Sequence, residues 1–244
     1  MVSGSTISRS RSRLYFGVRK LRPIYKLQAG ISVWGQGEID GVDTDIWLSE
    51  FIKRNEKNYN SLQEFAILLQ DELRMNIPDI DVNKHTLGTI GFHLAGFIDH
   101  TLWLHEMEGR HLPTFYHIHN GVILVLQSRE IQMDPRRVNA NHDFPPKQVR
   151  SGEFYTIRNG DFQMFALVNQ QLEALFGNLR ERGFRIPDYE MSDISPLKAR
   201  AEYIRFWIKT ISEIYKLSNI FPGIGGEVTT LTITPQGIES YETK

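Results

Sequence analysis

Cysteine is absent from the 244 residues, which excludes disulfides, thiolate metal sites and a cysteine nucleophile. No run approaches the roughly 18 uninterrupted apolar residues of a membrane span. No HExxH pair, internal repeat or low-complexity tract is present. Acidic side chains are missing from residues 1–37, where seven basic ones stand: Arg9, Arg11, Arg13, Arg19, Lys20, Arg22 and Lys26. The remainder holds 21 basic against 29 acidic side chains. Three readings fit a basic, acid-free start: an organelle transit peptide, a nucleic-acid-binding arm, or a solvated strand. The last is favoured, because the arginines of Ser8 to Arg13 alternate and share one strand face, and because the segment runs straight into core-type sequence. The chain is therefore expected to be cytoplasmic, with no nucleic-acid or membrane partner and no cofactor.

What is present suits one sizeable core. Hydrophobic residues make up 41% of the chain, and single cores commonly extend to about 250 residues, so one domain over 1–244, with 1–17 as its basic segment, is sufficient. The run Ala29 to Gly35 mixes small and β-branched residues, as a buried strand does. Gly35, Gly37 and Gly41 then break the chain. Asp43 opens a helix, with Asp45 in its first turn and Trp47, Leu48, Phe51 and Ile52 on one face. Ser61 and Glu64 form a capping-box pattern ahead of Leu62, Phe65, Ala66, Leu69 and Leu73.

Residues 88–119 read as a meander: a strand to Ile98, an Asp99-His100 turn, a second strand from Thr101 to Met107, and a third from Thr114 to His119 ended by Asn120-Gly121. Residues 134–152 read as a Pro-containing loop. Two long helices follow. Asp161 caps one, which carries Phe165, Leu172, Leu175, Phe176 and Leu179; Ser195 opens the other, with Ile204, Trp207, Ile208, Ile211 and Ile214 as a broad face. After a Pro222-Gly223 turn, Val228 to Thr234 and a last short strand through Tyr241 close the chain. Paired helices between antiparallel runs give an α+β plan. The expected helices span 43–57, 60–75, 161–182 and 195–217.

That order resembles the proteasome α/β-subunit superfamily. The likeness rests on Ala29 to Asp45, similar to the family's glycine turn before its first helix. It rests also on Gly91 to Phe97, similar to its central hairpin, and on Gly225 to Gly237, similar to its final helix-to-strand segment. It covers roughly 18–241. It implies a four-layer αββα sandwich of the N-terminal-nucleophile (Ntn) hydrolase type and hydrolysis of a peptide or amide substrate. In that family an N-terminal Thr, Ser or Cys attacks, its own α-amino group serves as base, a Lys lowers the nucleophile's proton affinity, and backbone N–H groups at the glycine turn form the oxyanion hole. The resemblance makes Ser5 and Thr6 the nucleophile candidates and Lys20 the closest match to the family's Lys. The stretch before Gly35 is shorter than the family's usual approach, so the sequence is read as an atypical member lacking the N-terminal nucleophile strand and without turnover of its own. The alternative is a non-catalytic structural subunit of a self-assembling ring. The resemblance also implies a homo-oligomer, and the aromatic residues Trp47, Phe51, Tyr203, Phe206 and Trp207 serve either an interface or the core.

Six of the eight histidines fall between 93 and 119. His117 and His119 share a strand face, a spacing that can bind a divalent metal. A third ligand is not fixed by the sequence, and Asp99, Glu106 and Glu108 are available only if the meander folds suitably, so the pair is read as polar sheet-face histidines. Arg158 to Asp161 is read as a turn and helix cap rather than an anion site, and Gly223 to Gly226 as a bend rather than a phosphate loop.

Overall fold

A computed structural model of the chain describes residues 2–4, 7–10, 13–15, 18–35, 37–76, 90–99, 111–119, 122–127, 162–185, 197–217 and 227–243. The protein is a mixed α+β fold. Its strands are β1 (Val2–Gly4), β2 (Ile7–Ser10), β3 (Arg13–Tyr15), β4 (Leu21–Ile24), β5 (Ala29–Gly35), β6 (Glu38–Ile39), β7 (Val42–Asp43), β8 (Ile90–Asp99), β9 (His111–His119), β10 (Val122–Gln127), β11 (Val228–Thr234) and β12 (Gly237–Thr243). Its helices are α1 (Thr44–Arg54), α2 (Leu62–Asn76), α3 (Phe162–Glu181) and α4 (Leu197–Leu217). All four helices lie within two or three residues of their expected spans. The expected strand 101–107, the loop 134–152, the cap at Asp161 and the bend at 223–226 lie outside the described residues.

Two antiparallel sheets organise the chain. A five-stranded sheet runs β10-β9-β8-β5-β4, and a three-stranded sheet runs β1-β11-β12. Pro23 is tolerated because β4 is an edge strand, where a missing N–H breaks no ladder on its outer side. Helix α2 packs against β8, β9 and β10, while α4 packs against β11 and β1. Strand β11 also approaches β4, β5 and β8 of the larger sheet, so it is covered on both sides. Five consecutive residues, Val228 to Thr232, are accordingly buried.

The main core lies between α1, α2 and one face of the five-stranded sheet. Trp47, Leu48 and Phe51 of α1 and Leu62, Phe65, Ala66, Leu69 and Leu73 of α2 meet Ile31, Val33, Ile90, Phe92, Leu94, Tyr116 and Ile118. Trp47 stacks on Phe51 at 5.4 Å, and Phe51 meets Phe65 edge-on at 5.4 Å, the geometry that ring quadrupoles favour. The capping box forms at α2. Ser61 Oγ accepts the Glu64 N–H at 3.1 Å, and the Glu64 carboxylate reaches back to the N–H of Asn60 at 2.6 Å, one residue before the cap.

Helix α4 buries a charge as well as apolar residues. Arg205 is 4% exposed beside Ala201, Trp207, Ile211 and Tyr215. Its guanidinium donates to Thr230 Oγ1 on β11 at 2.6 and 3.2 Å and to the Glu202 carboxylate, and lies 3.7 Å from that of Glu242. A buried charge held this way needs each donor matched. Of the expected apolar face, Trp207 and Ile211 are buried, while Ile204, Ile208 and Ile214 are only half-buried. On α3 no described side chain is fully buried, and Leu175 of its expected stripe is half exposed. Helix α3 packs on α4, with Phe165 meeting Trp207 at 5.0 Å.

Two local expectations are corrected. The Ser-Arg run is not one strand: β2 and β3 fold back as an antiparallel hairpin, pairing Ile7 with Tyr15 and Ser10 with Arg13. The glycine turn does not lead straight into α1 either. A small hairpin, β6-β7, intervenes, with Asp40 and Gly41 both at positive φ (49° and 72°), as a two-residue primed turn requires.

Candidate functional site

Two places bring together the residues singled out from sequence. The first is the start of β4. Lys20 is half-buried there, and its carbonyl accepts the Val33 N–H at 2.8 Å, which fixes it alongside β5. Burial lowers its ammonium from 10.5 to about 8, because a desolvated cation is disfavoured. One residue on, Leu21 is fully buried, and Arg22 lies 3.8 Å from the Asp45 carboxylate in the first turn of α1. Strand β5 thus carries the chain from beside Lys20 to Gly35 (φ 90°) and Gly37, whose carbonyl accepts the Thr44 N–H at 3.0 Å as α1 begins. Lys20, the glycine turn and the α1 N-terminus are therefore joined by one short run of chain. Ser5 and Thr6 lie outside the described residues.

The second place is the face of the five-stranded sheet turned away from α1 and α2. Strands β8 and β9 pair so that His93 stands directly opposite His117, and Gly91 opposite His119. Across β8 on the other side, Ser32 stands opposite His93 and Trp34 opposite Gly91. His93 is 7% exposed, and its ring centroid lies 4.9 Å from that of Phe115. On β9, Phe115 stands opposite Ala95, two residues along the ladder from His117. The side chains of His117 and His119 are outside the described set, and among the described residues no three His, Asp or Glu groups are placed to hold a metal ion. Sequence reasoning found the pair on β9 but missed His93 as its neighbour. The signal was the register of β8 on β9, which only the pairing supplies.

Elsewhere, large apolar side chains of α3 and α4 reach solvent: Leu167, Leu175, Leu197 and Phe206 are all more than a third exposed. Trp47, Phe51 and Trp207 are core. Among the described residues no helix is long and apolar enough to cross a membrane. No protein-family model matches the chain, and no curated protein matches it.

Proposed function

We propose that the chain is a relative of the proteasome-type Ntn hydrolases, with a peptide or amide bond as its substrate. The observation that carries the reading is the double coverage of β11. On one side stands α4, packed by α3; on the other stand β4, β5 and β8 of the sheet whose far face holds α2 and the α1 core. Helix, sheet, sheet, helix in that spatial order is what an αββα plan would require, and in this the contacts support the reading. Support also comes from Lys20, whose ammonium is drawn down to about 8 next to the strand that enters the glycine turn. A lysine tuned near working pH is what activation of a neighbouring hydroxyl nucleophile calls for.

Incubation with a panel of fluorogenic peptides tests the reading, with Ser5→Ala, Thr6→Ala and Lys20→Ala alongside. Turnover lost in Lys20→Ala and in one of the two hydroxyl variants supports it and names the nucleophile. Turnover indifferent to all three refutes it. Absence of turnover in every sample moves the weight to a second reading, a non-catalytic subunit of an assembly. That reading is favoured by the large apolar side chains that α3 and α4 leave exposed, Leu167, Leu175, Leu197 and Phe206, which an assembly partner would cover. Sedimentation velocity at micromolar concentration decides it, and a clean monomer counts against it.

A further inference from the structure

We propose that Lys20 and Arg22 form a binding site for a single carboxylate group, on the face of β4 turned toward α1. Strand alternation sets the pair on one face. Arg22 stands opposite Ile31, and the Val33 N–H donates to the Lys20 carbonyl at 2.8 Å, so the β5 neighbours of the two basic residues are Ile31 and Val33 of the main core. Residues i and i+2 of a strand lie about 6.6 Å apart, a separation over which a flexible lysine stem and an arginine can reach one small anion together. The placement holds whether or not the chain hydrolyses anything.

Both side chains have donors left over. Arg22 Nε is buried without a hydrogen-bond partner, while a terminal nitrogen of the same guanidinium lies 3.8 Å from the Asp45 carboxylate. Among the described residues no carboxylate pairs with the Lys20 ammonium, and burial is what lowers it to about 8. A desolvated cation and a buried unpaired N–H are each costly, and one anion that accepts from both removes the two costs together. Strand β4 is an edge among the described strands, so no further strand of that sheet stands between the pair and an incoming group. Charge selects the ligand. Two positive side chains against the one negative charge of Asp45 leave a net charge that a carboxylate monoanion matches. A phosphate dianion exceeds it and is repelled by Asp45. The carboxylate is that of a small acid or of a peptide end.

Carbon-13 NMR of the lysine side chains of the full chain is the test, with sodium acetate exchanged for sodium chloride at constant ionic strength. The Lys20 resonance is assigned by its absence in Lys20→Met. Acetate is expected to raise the Lys20 titration midpoint from about 8 by about one unit, saturably, because an opposite charge favours the ammonium. Chloride alone leaves it in place. Arg22→Met lowers the acetate affinity at least about tenfold, the least that losing a hydrogen bond to a charged group costs, with circular dichroism confirming that it folds. Asp45→Asn keeps both basic residues and removes the repulsion, so it strengthens acetate and admits inorganic phosphate. Acetyl-dialanine separates the sources: binding well above acetate assigns a peptide end, and equal binding assigns a small acid. A midpoint that acetate leaves unmoved, a shift that chloride reproduces, or acetate binding that survives Arg22→Met overturns the proposal. So does phosphate binding the parent more tightly than acetate, or an unchanged preference in Asp45→Asn.

Discussion

The hydroxyl of Tyr241, on the last strand, donates to the backbone carbonyl of Leu21, on β4, at 2.9 Å. The bond crosses from the three-stranded sheet to the edge of the five-stranded one and joins residues 220 apart in sequence. A second tie runs parallel to it: the Gln28 side-chain oxygen, at the β4–β5 turn, accepts the Ile238 N–H at 3.0 Å. The C-terminal hairpin is thus fastened to the first hairpin of the main sheet by polar contacts as well as by packing.

Tyr241→Phe removes the first tie and leaves the ring. The Leu21 carbonyl loses a partner in a half-buried place, so the expected cost is about 0.5–1.5 kcal/mol. Urea denaturation reads it as a lower midpoint with an unchanged slope. A variant as stable as the parent would show that water replaces the bond without loss.

Gly91→Ala is expected to be costlier than its one methyl group suggests. A Cβ at residue 91 would occupy the space of the Trp34 indole. The indole must move or the strands must part, and overpacking of this kind costs about 1–3 kcal/mol. Trp34→Ala vacates the space, so in the double variant the Gly91→Ala penalty should shrink. A double-mutant cycle with strictly additive costs would count against the contact.

Much of this architecture is legible in sequence, and the parts that are not share a cause. The helices are marked by local signals: the Ser61–Glu64 cap and the spacing of Leu62, Phe65, Leu69 and Leu73 lie within one element. The Asp40-Gly41 dipeptide was equally readable as a primed turn, but Gly35, Gly37 and Gly41 taken together suggested only a break. Strand β10, an apolar run directly after Asn120-Gly121, carried a hairpin signal that the reading stopped short of. What no local pattern carries is register. That Val2–Gly4 pairs with Val228–Thr230, or that His93 falls opposite His117, depends on strands far apart in the chain, and a shift of one residue would move every side chain to the other face. Arg205 was missed for a different reason: a buried arginine runs against composition rules and is explained only by Thr230, Glu202 and Glu242 arriving from elsewhere.

Lys20 makes stability depend on pH in a defined window. Its folded value of about 8 lies below its ordinary 10.5. Below pH 8 both folded and unfolded chains hold the proton, and the cost of burying the ammonium is present in full. Between about 8 and 10.5 the unfolded chain binds more protons, so this residue makes stability rise with pH. Lys20→Met should be more stable than the parent at pH 7, and the gap should narrow toward pH 10.5. A gap constant across that range would show that Lys20 is solvated like any surface lysine. Carbon-13 NMR of the lysine side chains gives the direct check, a single Cε resonance titrating near pH 8.

Gln28 presents two opposed effects at one residue, which makes it separable by substitution. It sits in the left-handed region at φ 48°, ψ 44°, a conformation that costs a residue with a Cβ about 1–2 kcal/mol. In return its amide nitrogen donates to the Tyr25 carbonyl at 2.7 Å while its oxygen holds Ile238. Those bonds are worth about 0.5–1.5 kcal/mol each. Gln28→Ala keeps the strained backbone and loses both bonds, so it should destabilise by about 1–3 kcal/mol. Gln28→Gly loses the same bonds but also the strain, and is expected to lie close to the parent. Glycine's greater freedom in the unfolded chain works against it by less than about 1 kcal/mol. The predicted order of urea midpoints is parent at or above Gln28→Gly, and Gln28→Gly above Gln28→Ala. The gap between the two variants measures the backbone strain less glycine's unfolded-state freedom, free of the lost bonds. If alanine proves as stable as glycine, residue 28 relaxes out of the left-handed region once its side chain is gone, and the tie to Ile238 is what holds it there.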